Sequence, residues 1–385
     1  MSQSRNIQLS RRQLLTAMGC AGITVTLPLA GCGNSKTQRE VIASAAGGKA
    51  NHFSVSWVHS RQQQFTGDVH AAAAQFRGHD VVQHALREDR LLVVARRPGT
   101  QVLEVDINRG EVVASFTCQP GLHLNGHACF SADGKTLFTT ESNIAKGEGV
   151  IVVRDSDTYQ VLAHMPSFGI EPHEAKMMPD GKTLVVANGG ILTHPESGRK
   201  KLNLASMHSS LTYVDVFTGK LVDDFTLPEA KSSIRHLDVT TDGSVVFATQ
   251  LQRSAMSHNE IVPLGGYHKP GQPLQLFQHP AAVISRLDDY MGSVRVNAQT
   301  RLVGFTSPRG DLAVFWHLDS AEFVGYHSFH DVCGIACSVD KQQFVLSNSL
   351  GQLRRLNAKT LEEDRSQRAS YAGTAWDNHM LIIEA

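Results

Sequence analysis

The sequence predicts an all-β protein built as a seven-bladed β-propeller, and three observations carry that expectation. A strand, tight turn and strand unit recurs along the chain; a second such unit follows most copies; and the two ends of the chain look like complementary halves of one more blade. Composition agrees, with 19% charged residues, 6% aromatics and 32 Gly, as suits short strands joined by many turns.

The first unit reads "CFSADGKTLFTT" from 129, "MMPDGKTLVVAN" from 177, "DVTTDGSVVFAT" from 238 and "ACSVDKQQFVLS" from 336, with weaker copies "ALREDRLLVVAR" from 85 and "RVNAQTRLVGFT" from 295. Its Asp-Gly pairs mark hairpins, because Gly accepts the positive φ such turns need. The second unit reads "VLEVDINRGEVVASF" from 102, "VIVVRDSDTYQVLAHM" from 150, "LTYVDVFTGKLVDDF" from 211, "LAVFWHLDSAEFVGYH" from 312 and "QLRRLNAKTLEEDRS" from 352. Two hairpins make a four-stranded blade of WD40/YVTN-like size. Blades start near residues 76, 121, 171, 232, 287, 330 and 370.

The last of these closes the ring. "AGTAWDNHMLIIEA" from 372 reads as a first hairpin without a second, and "FSVSWVHSRQQQFTGDVH" from 53 as a second without a first. Pairing N- and C-terminal hairpins in one blade removes exposed sheet edges. The propeller is expected to fill residues 51–385 as a single domain.

Ahead of it, Arg11 and Arg12 precede the uncharged stretch "LLTAMGCAGITVTLPLAG". That pattern predicts a twin-arginine signal peptide over 1–31. Leu29-Ala30-Gly31-Cys32 resembles a lipobox, so Cys32 is expected to carry a lipid, with 32–50 as lipidated Cys and flexible tether. The expected location is periplasm-facing, lipid-anchored to the cell envelope after export by the twin-arginine pathway. No other stretch has the roughly 18 apolar residues of a membrane span, so membrane contact is expected through the lipid alone. Lys plus Arg and Asp plus Glu balance at 36 each, which argues against nucleic acid as a partner. Cys118, Cys129, Cys333 and Cys337 are expected to be buried thiols.

In a propeller, the loop leading into each innermost strand and the loop between second and third strands lie on one side of the ring. The first kind carries His79, His123, His127, Glu171, His173, Glu174, Arg235 and His236; the second carries Arg96, Arg97, His194, His208 and Arg309. Imidazoles with carboxylates suit iron, zinc, copper or manganese, whereas the arginines suit a carboxylate or phosphate. A histidine starting an inner strand also often only bonds its neighbours. The candidate site is therefore His79, His123, His127, Glu171, His173, Glu174, His194, His208, Arg235, His236 and Arg309, with an iron or copper ion as the expected cofactor. There is no Gly-rich phosphate loop, G-x-S-x-G elbow, paired C-x-x-C or C-x-x-C-H haem attachment, so no catalytic residue is assigned and the reading leans against an enzyme.

"GHACFSADGKTLFTTES", "GIEPHEAKMMPDGKTLVVANGGILTHPESGR", "IRHLDVTTDG", "SPRGDLAVFW", "DVCGIA" and "WDNH" resemble a bacterial family of exported seven-bladed propellers, the domain of unknown function 1513. The resemblance covers essentially all of the chain beyond its leader. It implies gene neighbours of the imelysin-type iron-uptake class and a haem-containing oxidoreductase, and hence such envelope proteins as partners. It transfers no catalytic residue. The resulting expectation is a non-enzymatic envelope lipoprotein accessory to iron or related metal acquisition. The alternatives are a periplasmic scaffold, with contact loops at 188–210 and 250–280, and a propeller-class oxidoreductase or lactonase-like enzyme.

Overall fold

The computed structural model describes residues 39–47, 52–198 and 200–384. The expected signal peptide with Arg11 and Arg12, and the expected lipid site Cys32, lie outside the described residues.

Seven antiparallel sheets of four strands each form the seven blades. The innermost strands are Gly78–Gln83, Leu122–Phe130, Pro172–Met177, Ser232–Val239, Ser293–Val296, Val332–Cys337 and Ala375–Glu384. They are numbered blades 1 to 7 in that order. Each innermost strand packs against the next, and the last returns to the first, so the ring is closed. At the blade 3 hairpin Gly181 sits at φ 66°, while Asp180 Oδ1 accepts from the amides of Lys182 and Thr183 at 2.8 and 2.9 Å. The Asp-Gly turn signal thus has a direct physical cause.

The closing blade corrects the expected partition. Its order is Ala375–Glu384, then Arg39–Gly47, Phe53–Arg61 and Gln64–Ala74. The C-terminal segment is one continuous strand and not a hairpin, and it pairs with residues expected to be tether, in the register Val41↔Ile383 and Ile42↔Ile382. Residues 39–47, "REVIASAAG", conceal a strand because Ala and Ser have weak β-propensity. Their alternation is nevertheless strict. Val41, Ala43 and Ala45 pack toward blade 1 beside Leu91 and Val93, whereas Ile42 packs toward blade 6 beside Ala336 and Val345.

A buried ion pair fixes the same strand. Glu40 Oε2 lies 2.8 Å from Arg355 of blade 6, and Glu40 Oε1 accepts from the Val339 amide at 2.8 Å. Arg355 is fully buried, donates to Ser60 Oγ and Gln343 Oε1, and stacks over Phe65.

The two expected insertions differ. Residues 189–198 and 200–209 carry two short 3₁₀ turns, Pro195–Ser197 and Leu204–Ser206, and no strand. The stretch 250–280 is partly blade, since Gly265–His268 and Gln275–Leu276 are the outer strands of blade 4; the helix Ala281–Arg286 follows. Cys118, Cys129, Cys333 and Cys337 are free thiols; only Cys333 and Cys337 are fully buried.

Candidate metal centre

In a regular strand, consecutive side chains point to opposite faces. The innermost strands break that rule where it matters. Register shifts fall at Gly78/Asp80, Leu124/Ala128, Pro172/Glu174, Ile234/His236, Val332/Ile335 and, in blade 7, opposite Ser44/Ala46; the blade 6 shift carries Cys333 and Gly334 and no histidine. Each bulge adds residues opposite its partner strand and re-aims side chains, so that adjacent pairs such as His173-Glu174 and Arg235-His236 both face the axis. Blade 5 keeps a continuous register over Ser293–Val296 and contributes no histidine.

Five imidazoles converge as a result: His79, His127, His173, His236 and His379, one from each of five blades. Nine of the ten ring pairs have centroids 4.4 to 5.9 Å apart, including 5.9 Å between His79 of blade 1 and His236 of blade 4. The triads His79/His236/His379, His79/His127/His173 and His127/Glu174/His236 each bring potential ligand atoms within 4.8 Å of one another. Ligand nitrogens on one ion can lie at most about 4.2 Å apart, twice a metal–nitrogen bond of about 2.1 Å, so modest side-chain shifts close each triad. Gly126, at φ 114°, is required here, because a Cβ on it would stand 2.4 Å from the His79 ring.

The protons on these rings follow from their neighbours. His127 Nδ1 is 3.1 Å from Asp80 Oδ2, so it donates, and its Nε2, which has no hydrogen-bond partner, faces the cluster. A carboxylate that fixes one imidazole nitrogen and presents the other is the usual outer support of a metal-binding histidine. His79 Nδ1 and Nε2 and His379 Nε2 likewise have no hydrogen-bond partner among the described residues, with Asp377 Oδ1 3.9 Å from His79 Nδ1. His173 differs: Arg235 lies 3.1 Å from its Nδ1, and a guanidinium only donates, so the His173 proton sits on Nε2. Glu174 accepts from the Leu237 amide at 2.9 Å and pairs with Lys176 at 3.0 Å, and its Oε2 lies 3.5 Å from His236 Nδ1.

Burial, reinforced by neighbouring cations and imidazoles, holds His79, His173 and His379 well below the ordinary histidine range. Burial also brings His236 to about 4, against the opposing pull of Glu174. At His127 burial acts downward too, but the Glu174 and Asp80 carboxylates outweigh it and raise the value. Burial alone would raise Glu174, yet Lys176 and His127 keep it well below the carboxylate range.

These directions fix a pH dependence for the metal-free protein. The four lowered histidines bind fewer protons folded than unfolded, so their contribution to stability is complete above about 6.5 and is lost as pH falls below it, for His236 down to about 4. His127 acts oppositely, contributing below about 6.5 and fading as pH rises through its elevated folded value. Urea midpoints are expected to fall on acidification across that window, and His236→Gln to flatten the acid limb. A midpoint independent of pH there would contradict the assignment.

Of the residues expected from sequence, His79, His127, His173, Glu174 and His236 come together. They lie on the innermost strands themselves, whereas the sequence reading put them on the loops leading into those strands. Glu171, at φ 55°, is buried and accepts from Arg97 and Arg235, so it anchors guanidiniums at the edge of the cluster, its Oε1 3.6 Å from His173 Nδ1. Arg309 lies at the rim, its guanidinium 5.1 Å over the Tyr290 ring. Three residues stand apart. His123 bonds the Pro98 carbonyl at 2.9 Å, His194 caps the turn Pro195–Ser197, and His208 is exposed. His379 was missed, although "NHMLII" follows the same pattern as "GHACFS" and "RHLDVT".

Fold and site define a class: a seven-bladed propeller whose axis carries an imidazole cluster. The chain belongs to the family described as Protein of unknown function (DUF1513), which matches over residues 72–383. No curated protein matches the chain.

Proposed function

We propose that the protein is a non-enzymatic binder of a transition-metal ion of the iron or copper class, held at the hub by His79, His127, His236 and His379 with Glu174. One observation carries this reading: imidazoles from separate blades converge at the hub with ring nitrogens that have no hydrogen-bond partner among the described residues. Unpaired buried polar atoms are costly, and several at one point call for a ligand. Nitrogen and carboxylate donors without a thiolate suit iron, copper or zinc.

The finer reading is an envelope lipoprotein accessory to iron or related metal acquisition, exported by the twin-arginine pathway and anchored through Cys32. Support for it comes from the Arg11-Arg12 and Leu29 to Cys32 patterns and from the family resemblance, which also makes imelysin-type or haem-containing envelope proteins the proposed partners. Titration of metal-free protein with Fe(II), Cu(II) and Zn(II), read by calorimetry and elemental analysis, is expected to give saturable binding of at least one ion. Failure of all three to bind would remove the proposal.

A further inference from the structure

A pocket of about 160 Å³ opens on the cluster from the side of the loops between second and third strands. It is smaller than the roughly 300–1,000 Å³ clefts that hold drug-sized ligands, so its occupant is small. His79, His173 and His236 form its floor, and Arg96, Arg97, Arg235 and Arg309 line its wall. No carboxylate lines it among the described residues.

Neutralisation around the pocket is incomplete. Arg97 and Arg235 share the one carboxylate of Glu171, and Arg77 and Arg96 share that of Asp377. Arg309 has no carboxylate partner among the described residues; it lies over Tyr290 and reaches the Asp288 carbonyl. Leaving Arg77 and Arg96 with Asp377, the three guanidiniums of Arg97, Arg235 and Arg309 face the one carboxylate of Glu171. Clustering cations in a partly dry site is unfavourable unless an anion joins them.

Other polar groups of the wall add donors, while Gln250 Oε1 is already engaged by Arg235. Asn125 is buried; its Oδ1 accepts from Ser142, and its Nδ2 has no partner. Tyr290 Oη accepts from Asn378 at 2.7 Å, which leaves its own hydrogen to give. His173, with Nδ1 engaged by Arg235, offers Nε2–H at the floor. Guanidinium, amide N–H, phenol O–H and imidazole N–H all seek acceptors, and a planar carboxylate or a phosphate matches the guanidinium forks.

We propose that this pocket binds a small carboxylate or phosphate anion, seated on the imidazole floor so that one of its oxygens reaches the hub metal. Only the last clause rests on the metal reading above. The metal then arrives at, or leaves from, the hub as a chelate of that anion, and the guanidiniums select the chelate over the bare ion.

Calorimetric titration with citrate and with inorganic phosphate, at ionic strength matched with chloride, tests the proposal on metal-free and metal-loaded protein. Saturable binding of at least one probe is expected, weakened at least roughly tenfold in Arg96→Ala/Arg309→Ala and strengthened by metal loading. Preference for citrate or for phosphate identifies which oxyanion class the pocket takes. If neither probe binds wild type, or the double variant binds equally well, the anion site is overturned while metal titration alone still tests the hub. Anion binding unchanged by a bound metal overturns the shared contact.

Discussion

Replacing Glu40 by Ala is expected to lower the unfolding free energy by about 3–5 kcal/mol, because it leaves the Arg355 guanidinium charged, buried and without its carboxylate. The pair joins the closing blade to blade 6, so the loss falls on ring closure. Arg355 keeps Ser60 and Gln343 as acceptors, but neither carries charge. Urea titration of wild type and variant measures the difference. Glu40→Ala/Arg355→Met is expected to recover much of the loss, since no buried charge then remains. A single variant as stable as wild type would show that the pair contributes nothing to closure.

Changing His79, His127 and His236 together to Ala is expected to weaken metal binding at least about a hundredfold, because each of the three triads loses two of its three members. Loss of an outer support alone costs roughly 10- to 100-fold in metal affinity, and loss of direct ligands costs no less. His379→Ala spares two of the triads and is expected to act more weakly. His173→Ala is expected to cost more in anion binding than in metal binding, because its proton lies on Nε2. His208→Ala, on an exposed loop, is expected to leave both unchanged. Competition with a chromogenic chelator gives the series. Equal affinities for the triple variant and His208→Ala would displace the metal from the hub.

The blades were legible because their turns are local. An Asp-Gly pair between apolar runs needs no distant partner to declare itself, and each such turn in the sequence is a hairpin in the fold. The strand Arg39–Gly47 was not legible, because it is made of small residues whose burial comes from Trp57, Leu91 and Ile383, none of them adjacent. The site was legible to within a loop but not to the residue. Loop position gathered His123, His194 and His208 with the true neighbours, whereas the bulges that aim a ring at the axis appear only in strand register. His379 escaped because its strand lies at the opposite end of the chain from its blade partners.

The strand Ala375–Glu384 both completes the ring and carries His379. A polypeptide emerges from the ribosome N-terminus first, so the other three strands of that blade are made early and wait until this one has been made. A message truncated before codon 375 yields a chain with an open sheet edge and one imidazole fewer at the hub. Closure of the sheet and completion of the imidazole cluster thus depend on one and the same strand.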